Sequence, residues 1–248
     1  MDSLKKDLQP IESIDRNSAC IIDGMALVQK MNADGMTFAE LSQMLHRMVL
    51  REGSVSRRVD VVFDVYRDQS IKDAERVNRG SASGTTFKAI AQGHRIKQWR
   101  KFLRTSENKN QLIEFLANEW SSTDQREKLT NKEMFVTVGE RCQKLSVNSV
   151  SDVECLRSSQ EEADTRMLLH AAHCAKSGFS EVVIVSEDTD VFVLCVAFSS
   201  KIACPIYMKS GTKTRIQYTD IQKVATIIGH DMCDTLLGLH AFHRVSFG

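Results

Sequence analysis

The sequence predicts an α/β domain: a parallel sheet flanked by helices, with a basic helical insertion. Three observations predict it. Short, almost wholly apolar runs recur along the chain, as strands buried on both faces require. Helical patterns with recognisable start and stop signals lie between those runs. Residues 67–130 interrupt the alternation with a polar, basic, helix-prone stretch, too long for an ordinary crossover, that reads as an insertion over one sheet edge.

The elements follow in order. Ala19–Asp23 (ACIID) is the first predicted strand. Thr37-Phe-Ala-Glu40 is a capping box, in which the Thr and Glu side chains can each satisfy an orphan backbone N–H of the other's residue. It opens a helix whose apolar Phe38, Leu41, Leu45, Met48 and Val49 recur at helical spacing, with Gly53 as its stop. Val59–Asp64 (VDVVFD) is the second strand, and the insertion follows it, with glycine-serine punctuation at Gly80-Ser-Ala-Ser-Gly84. Residues 134–145 begin with period-two alternation and read as a strand or hairpin. Ser159-Gln-Glu-Glu162 is a second capping box, for a helix with Ala163, Met167, Leu168, Ala171 and Ala175 on one face and Gly178 at its end. Glu181–Ser186 (EVVIVS) and Cys204–Met208 (CPIYM) complete the strands, and residues 1–248 read as a single domain.

Composition narrows the function classes. The chain is 42% hydrophobic and 26% charged, which excludes a disordered protein. No apolar run approaches the roughly 18 residues of a membrane span. The N-terminal MDSLKKDLQPIESIDR has no apolar core of a cleaved secretion signal. Seven cysteines, an odd number without a CxxC, fit reduced and mostly buried thiols in a nuclear or cytoplasmic protein. The net charge of +1 conceals a segregation. Val65–Arg104 holds ten Lys/Arg against three Asp/Glu, and Ser149–Asp190 holds nine acids against three bases. Either stretch alone reads as a solvated surface; together they suggest two electrostatic roles.

Three predicted strands run into aspartate: Asp23, Asp64, and Asp188 with Asp190. In open α/β sheets ligands bind beyond the carboxyl ends of the strands, so these acids converge if their strands are neighbours. Glu161, Glu162 and Asp164 add carboxylates from the first turn of a helix. Crowded carboxylates repel unless a cation neutralises them, and the hard cation suited to oxygen donors is Mg²⁺ or Mn²⁺. Capping is the competing reading for each acid singly. Spacing alone leaves open whether Glu161 or Glu162 partners Asp164.

The segments IIDGMALVQ, VVFDVYRD, QEEADTRMLLHAA and IVSEDTDVFVL, in this order, resemble the flap-endonuclease/XPG-type nucleases of the PIN-like superfamily, especially asteroid-like or transposon-associated members. The resemblance spans about residues 19–243. It implies a PIN-like parallel-sheet domain, up to two divalent ions, and cleavage of branched or single-stranded nucleic acid. It assigns Asp23, Asp64, Glu162, Asp164, Asp188 and Asp190 to the catalytic metal cluster, choosing Glu162 over Glu161. It also places Lys72, Arg76 and Arg79 in an arch that steers the scissile phosphate. After Cys233–Phe242 the family pattern leads to a final metal-binding aspartate, where this chain reads His243-Arg-Val-Ser-Phe-Gly248. The resemblance therefore implies a shortened C-terminus and a second metal position lacking a ligand.

Two further patterns carry expectations. The stretch Arg95–Arg104 mixes Lys97, Arg100, Lys101 and Arg104 with Trp99 and Phe102, which suits single-stranded nucleic acid if the rings stack on bases. Equally, the rings can pack inward while the cations stay solvated. His170-x-x-His173-Cys174 has the spacing of zinc ligands but no convincing fourth partner. Two other functions remain on the sequence: a catalytically inactive PIN-like module that binds nucleic acid or protein, and a glycosyltransferase using Asp188-Thr-Asp190 to chelate a nucleotide diphosphate. The second leaves Asp23, Asp64 and the Glu162/Asp164 pair unexplained.

Overall fold

The computed structural model describes residues 13–66, 89–212, 215–229, 233, 235 and 236. The chain is α/β and divides into two compact units. One comprises Met1–Asp23, Gly53–Asp60 and Asp164–Gly248, and the other Gly24–Glu52 and Val61–Ala163.

The first unit is built on a parallel ladder. Strand β1 (Ser18–Asp23) pairs in parallel with β6 (Glu181–Val185), which pairs in parallel with β7 (Ile206–Thr212). Strand β8 (Arg215–Asp220) closes that edge antiparallel, and β2 (Arg58–Val62), whose first three residues belong here, lies on the other side of β1. Ala19, Ile21, Val182 and Ile184 are fully buried, as the apolar runs require. Helix α6 (Ala163–Lys176) precedes β6, α7 (Thr189–Phe198) follows it, and α8 (Ile221–Ile228) follows β8.

Two strand boundaries differ from the sequence reading. Strand β2 stops at Val62, two residues before Asp64. Strand β7 starts at Ile206 because Pro205 has no N–H to give; its carbonyl instead accepts from Val182 N at 2.9 Å.

The stripe expected on α6 is also rotated. Ala163, Met167, Ala171 and Cys174 are buried, and so are Arg166 and His170, while Leu168 and Ala175 are only half-buried. Asp60 draws the stripe round. Its carboxylate takes Nε and one terminal nitrogen of Arg58 at 2.7 Å each, and His170 Nδ1 lies 2.6 Å from Asp60 Oδ2. Arg58 also reaches His173 Nδ1 at 2.7 Å. Burial would raise the Asp60 carboxyl, but Arg58 and His170 overcome it and hold the group below the ordinary carboxylate range.

The second unit joins helices to an antiparallel meander. Helix α1 (Gly24–Gln29) begins with Gly24, where a Cβ would collide with the Phe63 ring; only glycine lets that ring close on the backbone. Helix α2 (Phe38–Glu52) opens on the expected capping box. Thr37 N donates to Glu40 Oε2 at 2.8 Å, and Glu40 N donates to Thr37 Oγ1 at 3.2 Å. Its buried face is Phe38, Leu41, Ser42, Leu45, His46 and Val49, so a serine and a histidine join the expected apolar stripe and Met48 sits at its edge.

Within 89–130 the chain is largely helical, as α3 (Trp99–Phe102), α4 (Ser106–Trp120), α5 (Thr123–Arg126) and a 3₁₀ turn at Glu127–Leu129. Residues 67–88 lie outside the described set. Residues 134–145 form the expected hairpin, β3 (Glu133–Val138) against β4 (Arg141–Leu145), extended by β5 (Val150–Asp152), with both ladders antiparallel. Among the described residues no helix is long and apolar enough to cross a membrane.

Two stability predictions follow from buried ionisable groups. Replacing Asp60 by Asn should cost about 3–5 kcal/mol in chemical denaturation, because it leaves a buried guanidinium facing a neutral amide. Arg58→Met with Asp60→Leu should cost far less, since desolvation of both charges is removed together. His46 is fully buried, and burial, aided by the charge of Lys128, pushes its pKa down from 6.5 to about 4. The unfolded chain therefore binds the proton first. Stability should fall on the order of 3 kcal/mol as pH drops through that window. His46→Leu should flatten the melting-temperature decline between pH 6.5 and 4, and an unchanged profile would refute the assignment.

Candidate active site

The first unit brings Asp23, Asp188 and Asp190 to one edge of its sheet. In the β1–β6 register Ile22 faces Val185, so Asp23, the last residue of β1, and Ser186, the first beyond β6, stand level at the carboxyl ends of their strands. The turn after Ser186 is fixed by its own hydrogen bonds. Asp188 N donates to Ser186 Oγ at 3.1 Å, and Asp190 N donates to Asp188 Oδ1 at 2.8 Å. Asp188 is thereby the N-cap of α7, which explains why an acid stands at this position whatever else it does. Asp188 is exposed, whereas Asp23, Asp164 and Asp190 are half-buried.

Asp164 stands in the first turn of α6. The Cys195 thiol of α7 is pushed up to about 12, first by burial and then by the charge of Asp164. That thiol is protonated at neutral pH and offers neither a nucleophile nor a soft metal ligand. The donors at this edge are carboxylate oxygens, the chemistry that Mg²⁺ and Mn²⁺ take. Among the described residues, however, no three His, Cys, Asp or Glu side chains form a ready-made metal group.

The second unit holds Asp64 and Glu162. Asp64 Oδ1 accepts from Ala163 N at 2.8 Å, so the carboxylate two residues beyond β2 caps the start of α6. The second capping box thus does not open this helix at Ser159; the chain runs on without regular structure to Glu162, and Asp64 supplies the acceptor. Val65 N donates to Glu161 O at 2.7 Å, which lays the segment before Ala163 alongside Asp64. Asp64 Oδ2 accepts from the Tyr66 hydroxyl at 2.9 Å, and Tyr66 is held in turn from α4. Asn110 Nδ2 donates to its carbonyl at 2.6 Å, and Lys109 Nζ sits 4.7 Å from its ring centroid.

Among the basic candidates, Lys97, Arg100 and Arg104 are exposed and Lys101 is half-buried. Trp99 is not a stacking platform: it is 1% exposed and lies flat on Phe102, 4% exposed, with centroids 5.5 Å apart. Its assignment to nucleic-acid binding is corrected, because a ring that is 1% exposed has no open face for a base. Lys72, Arg76 and Arg79 lie outside the described residues.

Sequence reasoning missed Arg58, Asp60 and Tyr66. The alternation Arg58-Val-Asp60 was the available signal, since residues two apart in a strand share a face. The zinc-like His170 and His173 turn their Nδ1 atoms to Asp60 and Arg58, so the ion network accounts for their spacing.

No family model, curated protein or solved structure matches this chain. The acids are therefore weighed on their own geometry.

Asp64→Ala should lower stability by about 1–2 kcal/mol in metal-free buffer, through loss of the α6 cap and of the Tyr66 acceptor. Asp64→Asn, which keeps an acceptor oxygen, should recover much of that loss. Equal losses in chelator-treated samples would show that the cap carries no stability.

Proposed function

We propose that this chain is a metal-dependent nuclease-like domain of the PIN-like type that hydrolyses phosphodiester bonds of branched or single-stranded nucleic acid. The observation that carries the reading is the β1–β6 register, which supports a common edge for Asp23 and the Asp188/Asp190 pair. Asp164, whose charge is felt at Cys195 of α7, adds a fourth carboxylate to that reading. Asp23, Asp164, Asp188 and Asp190 would hold Mg²⁺ or Mn²⁺, and the resemblance adds Asp64 and Glu162. Such an ion, when bound, supplies Lewis acidity and a water acidic enough to attack at neutral pH.

The chain's own residues do the rest. The carboxylates orient the donor oxygens and accept the proton that the attacking water gives up. Lys97, Arg100, Lys101 and Arg104, in the second unit, would contact strand phosphates without entering the chemical step. The water oxygen bonds to phosphorus, the bond from phosphorus to the leaving sugar oxygen breaks, and that oxygen departs with a proton. No side-chain nucleophile takes part.

A second reading, a nucleic-acid-binding module without catalysis, has its own support. Both Asp64 oxygens accept structural hydrogen bonds, and Asp188 Oδ1 serves a helix cap.

The test separates capping from metal binding. Asp188→Ser keeps a capping oxygen and removes the charge, so its metal-free stability should stay within about 0.5 kcal/mol of the parent. The parent should gain melting temperature in millimolar Mn²⁺ and cleave labelled single-stranded or flapped substrates, and Asp188→Ser should lose both. Strand binding with neither a Mn²⁺ shift nor cleavage in the parent would decide for the second reading.

A further inference from the structure

The second unit contains a cleft that the carboxylate chemistry does not use. It has a volume of about 610 Å³ and is lined by Lys30, Asp34, Lys97, Arg100, Lys101 and Arg104, with Trp99 in its wall. The backbone builds it by clasping the stretch before α3 onto the turn between α1 and α2. Gly35 N donates to Ile96 O at 2.7 Å, and Ile96 N donates to Met36 O at 2.8 Å. Asp34, the carboxylate among these six, accepts from Trp99 N at 2.7 Å and so fixes the start of α3.

Five cations in one concavity repel one another, and the field they focus draws anions to it. The volume falls within the roughly 300–1,000 Å³ of small-molecule sites. The Trp99 indole stands in the wall, and its Nε1–H is buried without a hydrogen-bond acceptor among the described residues.

We propose that this cleft binds a polyphosphate chain, the linear tri- or diphosphate common to inorganic polyphosphate and nucleoside triphosphates. A single phosphate monoester carries about −1.5 to −2 charges, well short of the net +4 left by five cations and Asp34, whereas a triphosphate comes close to matching it. Recognition runs through phosphates and not through a base, because Trp99 and Phe102 are buried and stacked on each other. The arginines supply forked donors to phosphate oxygens, and the lysines supply point charges. No divalent ion is required, so the inference stands apart from the carboxylate site.

The test is calorimetric titration of the full chain with inorganic tripolyphosphate, ATP and adenosine, with EDTA throughout. Tripolyphosphate and ATP should bind saturably, adenosine should not, and affinity should fall about tenfold or more from low to high salt. Arg100→Gln/Lys101→Gln/Arg104→Gln should weaken tripolyphosphate at least about tenfold while retaining the parent's circular dichroism. Arg141→Gln/Lys176→Gln/Lys201→Gln, which removes the same charge elsewhere, should leave it unchanged. In Trp120→Phe, where Trp99 is the remaining tryptophan, saturation should shift the emission.

Tripolyphosphate and ATP of equal affinity would identify the phosphate chain alone as the ligand, and a preference for ATP would identify a nucleotide. Equal affinities in the two triple variants, adenosine binding as tightly as ATP, or no saturable binding of tripolyphosphate would each overturn the proposal. Failure of Mn²⁺ binding or cleavage leaves these outcomes untouched, because chelator is present.

Discussion

A guanidinium enclosed in a sheet can persist only if its charge is met, and that constraint organises the first unit. Arg58 and Asp60 are 1% and 0% exposed, so the cost of taking both out of water is several kcal/mol per ion before attraction repays it. Repayment needs good geometry and further donors. The bidentate Arg58–Asp60 pair provides the first, and His170 provides the second, so α6 must present His170 and His173 towards β2. That requirement sets the rotation of α6 about its axis. It also fixes where the first turn of α6, with Asp164, stands.

The acids at the sheet's carboxyl edge show why a strand-end aspartate is hard to read. An N-cap and a hard-cation ligand make the same demand, an exposed carboxylate oxygen just beyond a regular element. Asp188 meets the first with one oxygen, towards Asp190 N. Asp64 meets it with Oδ1 and gives Oδ2 to Tyr66, so a cation at Asp64 would have to share those lone pairs or displace the tyrosine hydroxyl. Substituting serine at a cap separates the two roles, because serine caps without charge. Asparagine removes the charge but is itself a good cap, and alanine removes both functions.

Local signals were legible and distant ones were not. The Thr37–Glu40 box, the Glu133–Leu145 hairpin and the apolar strands are written in neighbouring residues, and each formed where the sequence put it to within a few positions. The α6 stripe was misread because Arg166 and His170 count as polar in any periodicity, yet both are buried. Burial of His170 depends on Asp60, 110 positions away, which no helical repeat can reveal. The Asp64 cap spans 99 positions for the same reason. For the acids of the candidate site, the sequence supplied identities and strand-end placement. It offered capping for each acid, and Asp188 caps the helix next to it, but it could not show that Asp64 caps a helix 99 positions away.

Charge segregation in the sequence corresponds to two kinds of surface with different chemistry. The basic stretch gathers Lys97, Arg100, Lys101 and Arg104 around a concavity, where guanidinium and ammonium groups can only donate. The acidic stretch leaves carboxylates at a strand edge, where ionised groups can only accept. The buried Cys195 of α7 sharpens the contrast: with its pKa pushed up to about 12, it is a thiol at neutral pH. A soft-metal site would draw on such a sulfur as thiolate; here burial first, and then the charge of Asp164, opposes its formation. The donors described at this edge are carboxylate oxygens, and a buried, protonated thiol does not add to them.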